Sequence, residues 1–316
     1  MALPEAMKNM SLPVIGSPLF IISNPDLVIA QCINGVVGSF PALNARPKEL
    51  LDEWLNRITT ELAAYKAAHP EAEVAPFAVN QIIHRTNDRL AHDMELCAKY
   101  KVPMIITSLS APTEIVPMVH AWGGVVFHDV ISVKHAKKAI EAGVDGLILV
   151  CAGAGGHAGT QSPFALVQEV RKFWDGPIAL SGAITTGKAV VAARALGADY
   201  AYVGTRFIAT PEANADERYK QMIVESDAAG ITYSPYFTGV NGNYLRQSII
   251  NSGLDPENLP DRAADSMTFG STRVKAWKDV WGAGQGVGTI DSVQPAAEII
   301  KTMRAEYQAT RKALAG

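Results

Sequence analysis

Cysteine is scarce in this chain: 316 residues carry only Cys32, Cys97 and Cys151. An odd number of scattered thiols excludes a disulfide framework and fits a reducing compartment, so a cytoplasmic protein is expected. Neither CxxC nor HExxH occurs, and no dense carboxylate cluster has ligand spacing, so no metal site is expected. Charge of one sign is missing too. Charged residues make up 19% of the chain, the net charge is −3, and no block of like charge offers itself to nucleic acid or an anionic membrane. Long apolar runs are absent, because Pro13, Pro18, Asn24, Pro25 and Asp26 interrupt the apolar N-terminus, so neither a signal peptide nor a membrane span is read there. "LSGAI" around Ser181 lacks the GxSxG elbow, and "GAGGHAG" lacks the GxGxxG spacing of a dinucleotide fingerprint.

What is present is alternation. Eight β-rich runs, at 13–15, 36–39, 74–79, 102–107, 125–128, 146–150, 177–180 and 200–203, are separated by segments of helical period. In 48–69 the residues Leu50, Leu51, Trp54, Leu55, Ile58, Leu62 and Tyr65 recur at helical spacing, as a packing face on a barrel would. "AGVDGLILV" and "LGADYAYVG" repeat one junction of helix, glycine stop, acidic turn and strand. The count predicts a (β/α)8 TIM barrel. A stretch without strand signals runs from 211 to about 281, and the closing helix is expected over 292–314. The expected division is a barrel of residues 1–212 and 282–316 with a mainly helical insertion, 213–281, between the last strand and the last helix.

In such a barrel the loops after the strands build the active site. The seventh is "LSGAITTG", with Ser181 and Gly182, and the eighth is "VGTRFIAT", with Gly204 and Thr205. Glycines there permit close approach and oriented amides favour an anion, so a phosphate-bearing ligand is expected. The sixth loop, "CAGAGGHAG", places Gly155 and Gly156 where backbone can lie against a flat ligand, with His157 above it as the catalytic candidate. His128, beside Asp129 at the end of the fifth strand, is the second candidate. Cys151 directly follows an apolar run and is read as a buried, inert thiol. One obvious acid–base group beside a phosphate cradle suggests that a bound cofactor carries the chemistry, and FMN fits.

These residues are similar to those of the nitronate monooxygenases, formerly 2-nitropropane dioxygenases. The similarity lies in "AGGHAG" at 154–159, "LSGAITTG" at 180–187, "GADYAYVGTRFIAT" at 197–210, "PFAVN" at 76–80 and "PVIGSPLF" at 13–20, with a fainter trace in "WGAGQGVG" at 281–288. The resemblance implies an FMN-dependent barrel in which Ser181, Gly182, Ala183, Gly204 and Thr205 hold the phosphate. Pro18, Leu19, Phe20 and Asn80 would lie along the isoalloxazine, Gly155 and Gly156 would lie against it, and His157 would be the active-site histidine. The activity implied is oxidation of alkyl nitronates by O2 to carbonyl compounds and nitrite. NAD(P)H-dependent reduction of quinones or enoyl thioesters is the second expectation, and a flavin-free phosphate-ligand barrel, an isomerase or a binding protein, the third.

The chain departs from the family pattern in three places. Ala183 stands where "SGG" is usual, Pro18-Leu19 replaces a Gly-Met pair, and Asp129 stands where some relatives carry a lysine. An acidic group would not stabilise a reduced, anionic flavin as lysine would. Tyr233, Tyr236, Phe237 and Tyr244 either wall a substrate pocket or pack the insertion onto the barrel or a second subunit, so a homodimer is one expected assembly.

Overall fold

The computed structural model describes residues 3–259 and 277–316. Its strands are β1 (Val14–Gly16), β2 (Gly38–Pro41), β3 (Phe77–Ile83), β4 (Met104–Leu109), β5 (Val125–Val130), β6 (Gly146–Val150), β7 (Gly156–His157), β8 (Ile178–Ser181), β9 (Tyr200–Val203), β10 (Ile231–Ser234) and β11 (Gly242–Leu245). Eight of them form one sheet in the order β1-β9-β8-β6-β5-β4-β3-β2, with every pairing parallel. The ring closes through Val37, just ahead of β2. The Gly16 N–H donates to the Val37 carbonyl at 2.7 Å, and the Val37 N–H donates to the Val14 carbonyl at 3.2 Å. This is the expected (β/α)8 barrel.

The outer helices begin where short polar side chains cap them. Asn24 Oδ1 accepts from the Leu27 N–H ahead of α2 (Pro25–Ile33), and Ser132 and Ser162 likewise cap α6 (Val133–Glu141) and α7 (Pro163–Arg171). Pro25 and Pro163, at the first helical positions, need no N–H there. The apolar period over 48–69 becomes α3 (Leu50–Ala68), which buries Leu51, Leu55, Ile58 and Leu62. The closing helix is α12 (Ala296–Leu314). Among the described residues no helix is long and apolar enough to cross a membrane.

Side chains fill the lumen. Ile15, Val37, Ala78, Met104, Ile106, Phe127, Ile148, Ala179, Tyr200 and Tyr202 form one buried cluster. Gly146 makes room for Phe127, since a Cβ there would lie 2.5 Å from the ring. At the lower end the short helix α1 (Glu5–Lys8) inserts Met7, whose carbonyl accepts the Tyr200 hydroxyl proton at 2.8 Å.

The insertion holds more than the expected helices. Besides α10 (Glu217–Glu225) and α11 (Arg246–Asn251), β10 and β11 pair antiparallel, although no strand was expected between 211 and 281. The alternation is short and passes through half-buried residues, so no apolar period announces it. β11 also pairs with β7, placing Gly242 opposite His157 and Asn243 opposite Gly156. The sixth barrel loop is thus the edge of a three-stranded sheet. Residues 260–276 of the expected insertion lie outside the described residues.

Candidate active site at the barrel mouth

β8 and β9 are neighbours, so their following loops face the same corner of the mouth. After β8 the backbone turns through Gly182 (φ 142°) and Ala183 (φ 53°). Positive φ is free for glycine and costs alanine about 1–2 kcal/mol. The usual glycine at position 183 therefore has a conformational reason here. After β9, Gly204 leads into the one-turn helix α9 (Thr205–Ile208). Among the described residues the N–H groups of Gly182, Ala183, Gly204 and Thr205 meet no acceptor of the chain. Unpaired backbone donors in such glycine loops can receive an anion.

The sixth loop is held rigidly. It leaves β6 and returns, with the Gly159 N–H donating to the Val150 carbonyl at 3.1 Å. Asn243 Nδ2 donates to the Ala154 carbonyl at 2.6 Å, and the Gln285 N–H donates to the Gly153 carbonyl at 2.9 Å. The segment of faint resemblance, 281–288, proves structural: it crosses all three glycine loops. A Cβ on Gly155 would lie 2.8 Å from the Gly284 nitrogen, and one on Gly286 would lie 3.3 Å from the Ala183 backbone. The Gly284 N–H donates to Thr205 Oγ1 at 2.9 Å. The bare backbone at Gly155 is therefore used by the returning chain, and that at Gly156 (φ 69°) borders the Trp277 ring, 3.5 Å from a Cβ built there.

His157 is exposed at this edge, in a T-shaped contact with Trp277 at 5.5 Å between centroids. Its Nε2 lies 2.8 Å from Thr238 Oγ1, whose own proton goes to the Val240 carbonyl at 3.0 Å. A hydroxyl with its hydrogen committed can only accept, so Nε2 carries the imidazole proton and Nδ1 carries the lone pair. Surrounding protein lowers the His157 pKa by desolvation, which keeps that lone pair free at neutral pH.

A polar layer roofs the lumen under the mouth. Asn80, the last-but-one inward residue of β3, donates through Nδ2 to the Ile106 carbonyl at 3.2 Å and to Ser108 Oγ at 2.9 Å. Both acceptors fix the amide, leaving its oxygen as the free end. Ser108 donates in turn to Asp129 Oδ2 at 2.6 Å. Asp129 is half-buried, but its Oδ1 is enclosed and meets no donor, and burial raises its pKa to about 6. The Tyr202 phenol, raised well above its ordinary pKa by burial and then by Asp129, shares a hydrogen bond with Ser17.

Other predicted residues fall nearby with distinct surroundings. Leu19 borders Gly204, 3.3 Å from a Cβ built there, and Pro18 is half-buried beside it in the first loop. Phe20 lies under the Arg46 guanidinium, 5.1 Å from the ring centroid. His128 corrects an expectation. Strand alternation turns it away from the lumen that Phe127 and Asp129 face, its Nδ1 meets Thr107 Oγ1 at 2.8 Å, and burial lowers its pKa to about 4. Among the described residues no group of three metal-ligating side chains exists. Cys151 is fully buried, as expected.

Tyr244 and Phe237 pack with Ile249, Val280 and Trp277 in the insertion's own small core. Tyr233 donates its hydroxyl proton to the Ala158 carbonyl at 2.9 Å and, with Ile131, Ala158 and Val240, lines a cavity of about 360 Å³. Sequence reasoning missed Ser17, Ser108, Tyr202, Thr238 and Trp277. Ser108 and Asp129 carried a signal, since both sit two residues after an apolar inward position of a strand and so face the lumen.

A closed parallel barrel with unpaired amides at its last two strand loops and a pinned glycine–histidine loop beside them belongs to the class of TIM-barrel proteins. A sequence profile described as nitronate monooxygenase matches residues 5–306, and the chain belongs to that family. A nitronate monooxygenase of Neurospora crassa is 29% identical over 218 residues, covering 61% of this chain and 56% of that protein. A (3aS,4S,5R,7aS)-5-hydroxy-7a-methyl-1-oxo-octahydro-1H-indene-4-carboxyl-CoA dehydrogenase of Rhodococcus jostii is 28% identical over 177 residues, covering 56% and 50%. The chain thus spans about half the length of these curated relatives. Among solved structures, a nitroalkane oxidase from Streptomyces ansochromogenes shares the fold with a TM-score of 0.78 at 20% identity, over 98% of this chain and 100% of that one.

Proposed function

We propose that the protein is an FMN-dependent oxidoreductase that oxidises alkyl nitronates with O2 to carbonyl compounds and nitrite. The observation that carries this reading is the set of unpaired N–H groups at Gly182, Ala183, Gly204 and Thr205 beside the loop that presents His157. Those amides fit a phosphate. Leu19 and the free oxygen of Asn80 fit the edge of a flat ring, and Ser181 and Pro18 frame the same opening. FMN, when bound, supplies the electron acceptor that the side chains lack.

His157 does the proton chemistry. Its neutral Nδ1 takes the proton from the carbon next to the nitro group of a neutral nitroalkane, and the resulting imidazolium then offsets the nitronate charge. Thr238 holds the ring's orientation through Nε2. Family membership supports the substrate class, and so does the Neurospora crassa relative.

The test is a visible spectrum of the purified protein loaded with FMN, followed by anaerobic addition of an alkyl nitronate. Bleaching of the flavin band supports the reading, and an unchanged spectrum overturns it. A second reading, NAD(P)H-linked redox chemistry on a thioester, has its motive in the Rhodococcus jostii relative, which is named for a CoA ester. Anaerobic bleaching by NADH, without bleaching by nitronate, selects it.

A further inference from the structure

The buried carboxyl of Asp129 has no structural partner that explains it. β5 delivers it into the mouth-side end of the lumen, and it accepts one hydrogen bond, from Ser108. Its other oxygen is enclosed without a donor. The groups facing it are Ser108 and, through Ser108, Asn80, with Tyr202 on β9 as the titratable neighbour. Among the described residues no lysine, arginine or histidine pairs with it. A carboxylate so placed is destabilised by every further negative charge brought to the mouth. Tyr202 lies two residues before Gly204, and Ser17, its hydrogen-bond partner, borders Gly204 as well, so Tyr202 and Ser17 link the carboxyl's surroundings to the loop after β9.

We propose that Asp129 is the proton-storing residue of the cofactor site, binding a proton when the flavin is reduced and releasing it on reoxidation. The inference rests on the flavin reading. The balance is simple. Two electrons from the reducing substrate and one proton from solvent give a reduced ring with one added negative charge, and a second solvent proton converts the Asp129 carboxylate to the acid. Ser108 is a positioning residue, since it orients the carboxyl without touching the reacting atoms, and Asn80 in turn holds Ser108. The carboxyl's pKa of about 6, set by burial, places the change within reach of neutral pH.

The experiment uses FMN-loaded protein, reduced photochemically in unbuffered solution at neutral pH with an indicator dye, together with the infrared difference spectrum between oxidised and reduced forms. The wild type is expected to take up more protons per flavin than Asp129→Asn, by up to one, and to gain a protonated-carboxyl stretch that the variant lacks. Ser108→Ala serves as a second variant if Asp129→Asn folds poorly: without its one hydrogen bond the carboxyl holds its proton to higher pH, so the extra uptake moves to higher pH. Equal uptake in all proteins, with no carboxyl band, overturns the role of Asp129 and leaves the flavin reading intact. A protein that binds no FMN overturns both.

Discussion

Replacing Asp129 by asparagine tests the electrostatics of the barrel lumen even without cofactor. Burial raises this carboxyl from an ordinary 3.8 to about 6, so between those values the native state binds a proton that the unfolded chain does not. Stability contributed by the group is therefore full below about pH 4 and is lost as the pH rises. A shift of roughly two units corresponds to a cost of about 3 kcal/mol at pH 7.5, of which about 2 kcal/mol accrues between pH 4.5 and 7.5. The residue is half-buried with only Oδ1 enclosed, so solvent screening makes these figures upper values. Asparagine keeps the shape and removes the titration. Its amide still needs partners, but that penalty of about 1–3 kcal/mol does not vary with pH. Urea unfolding of apoprotein at the two pH values isolates the effect: the stability difference, wild type minus variant, is expected to fall by about 2 kcal/mol from pH 4.5 to 7.5. A difference that stays constant, or grows, refutes the claim that this carboxyl is held in a medium that resists its charge.

His157→Gln should lower kcat/KM for neutral nitroalkanes by about 10²–10⁴-fold and affect preformed nitronates far less, because only the former need the Nδ1 base; equal losses on both would remove the base role. With a neutral nitroalkane, the wild-type rate should fall as pH drops through the His157 pKa, which desolvation places below the usual 6.5, and a midpoint above that value would contradict the site. Gly187→Ala should destabilise the fold by about 1–3 kcal/mol or more, measured by thermal melting, since its Cβ would lie 2.0 Å from the Met303 carbonyl where α8 (Gly187–Leu196) crosses α12. Cys32, Cys97 and Cys151 are buried with pKa values pushed up to about 12, so a thiol reagent should label them only at the rate of unfolding, and rapid native labelling would mean the barrel opens locally.

How much of this was legible beforehand depends on whether a residue's role is local. A strand end, a capping serine or a glycine turn is written within a few residues, so the barrel, the turns at Gly182 and Gly204, and the place of His157 in the loop after β6 could be read from spacing. The parts that escaped depend on contacts between residues far apart in the chain. Gly155 reads locally as room for a ligand, and what that reading could not show is that the side its Cβ would occupy faces Gly284, 129 positions later, where the returning segment crosses the glycine loops. β11 was invisible for the same reason: it is a four-residue strand between β10 and the two-residue β7 of the sixth barrel loop, and no period of two can develop over such short edges. His128 and Asp129 are the sharpest case. They are adjacent in sequence, but a strand sends neighbours to opposite faces, so one was always going to be lost among the outer helices. Which one reached the mouth was decided by Phe127, whose ring had to enter the lumen against Gly146, and that register carried Asp129 inward to Ser108.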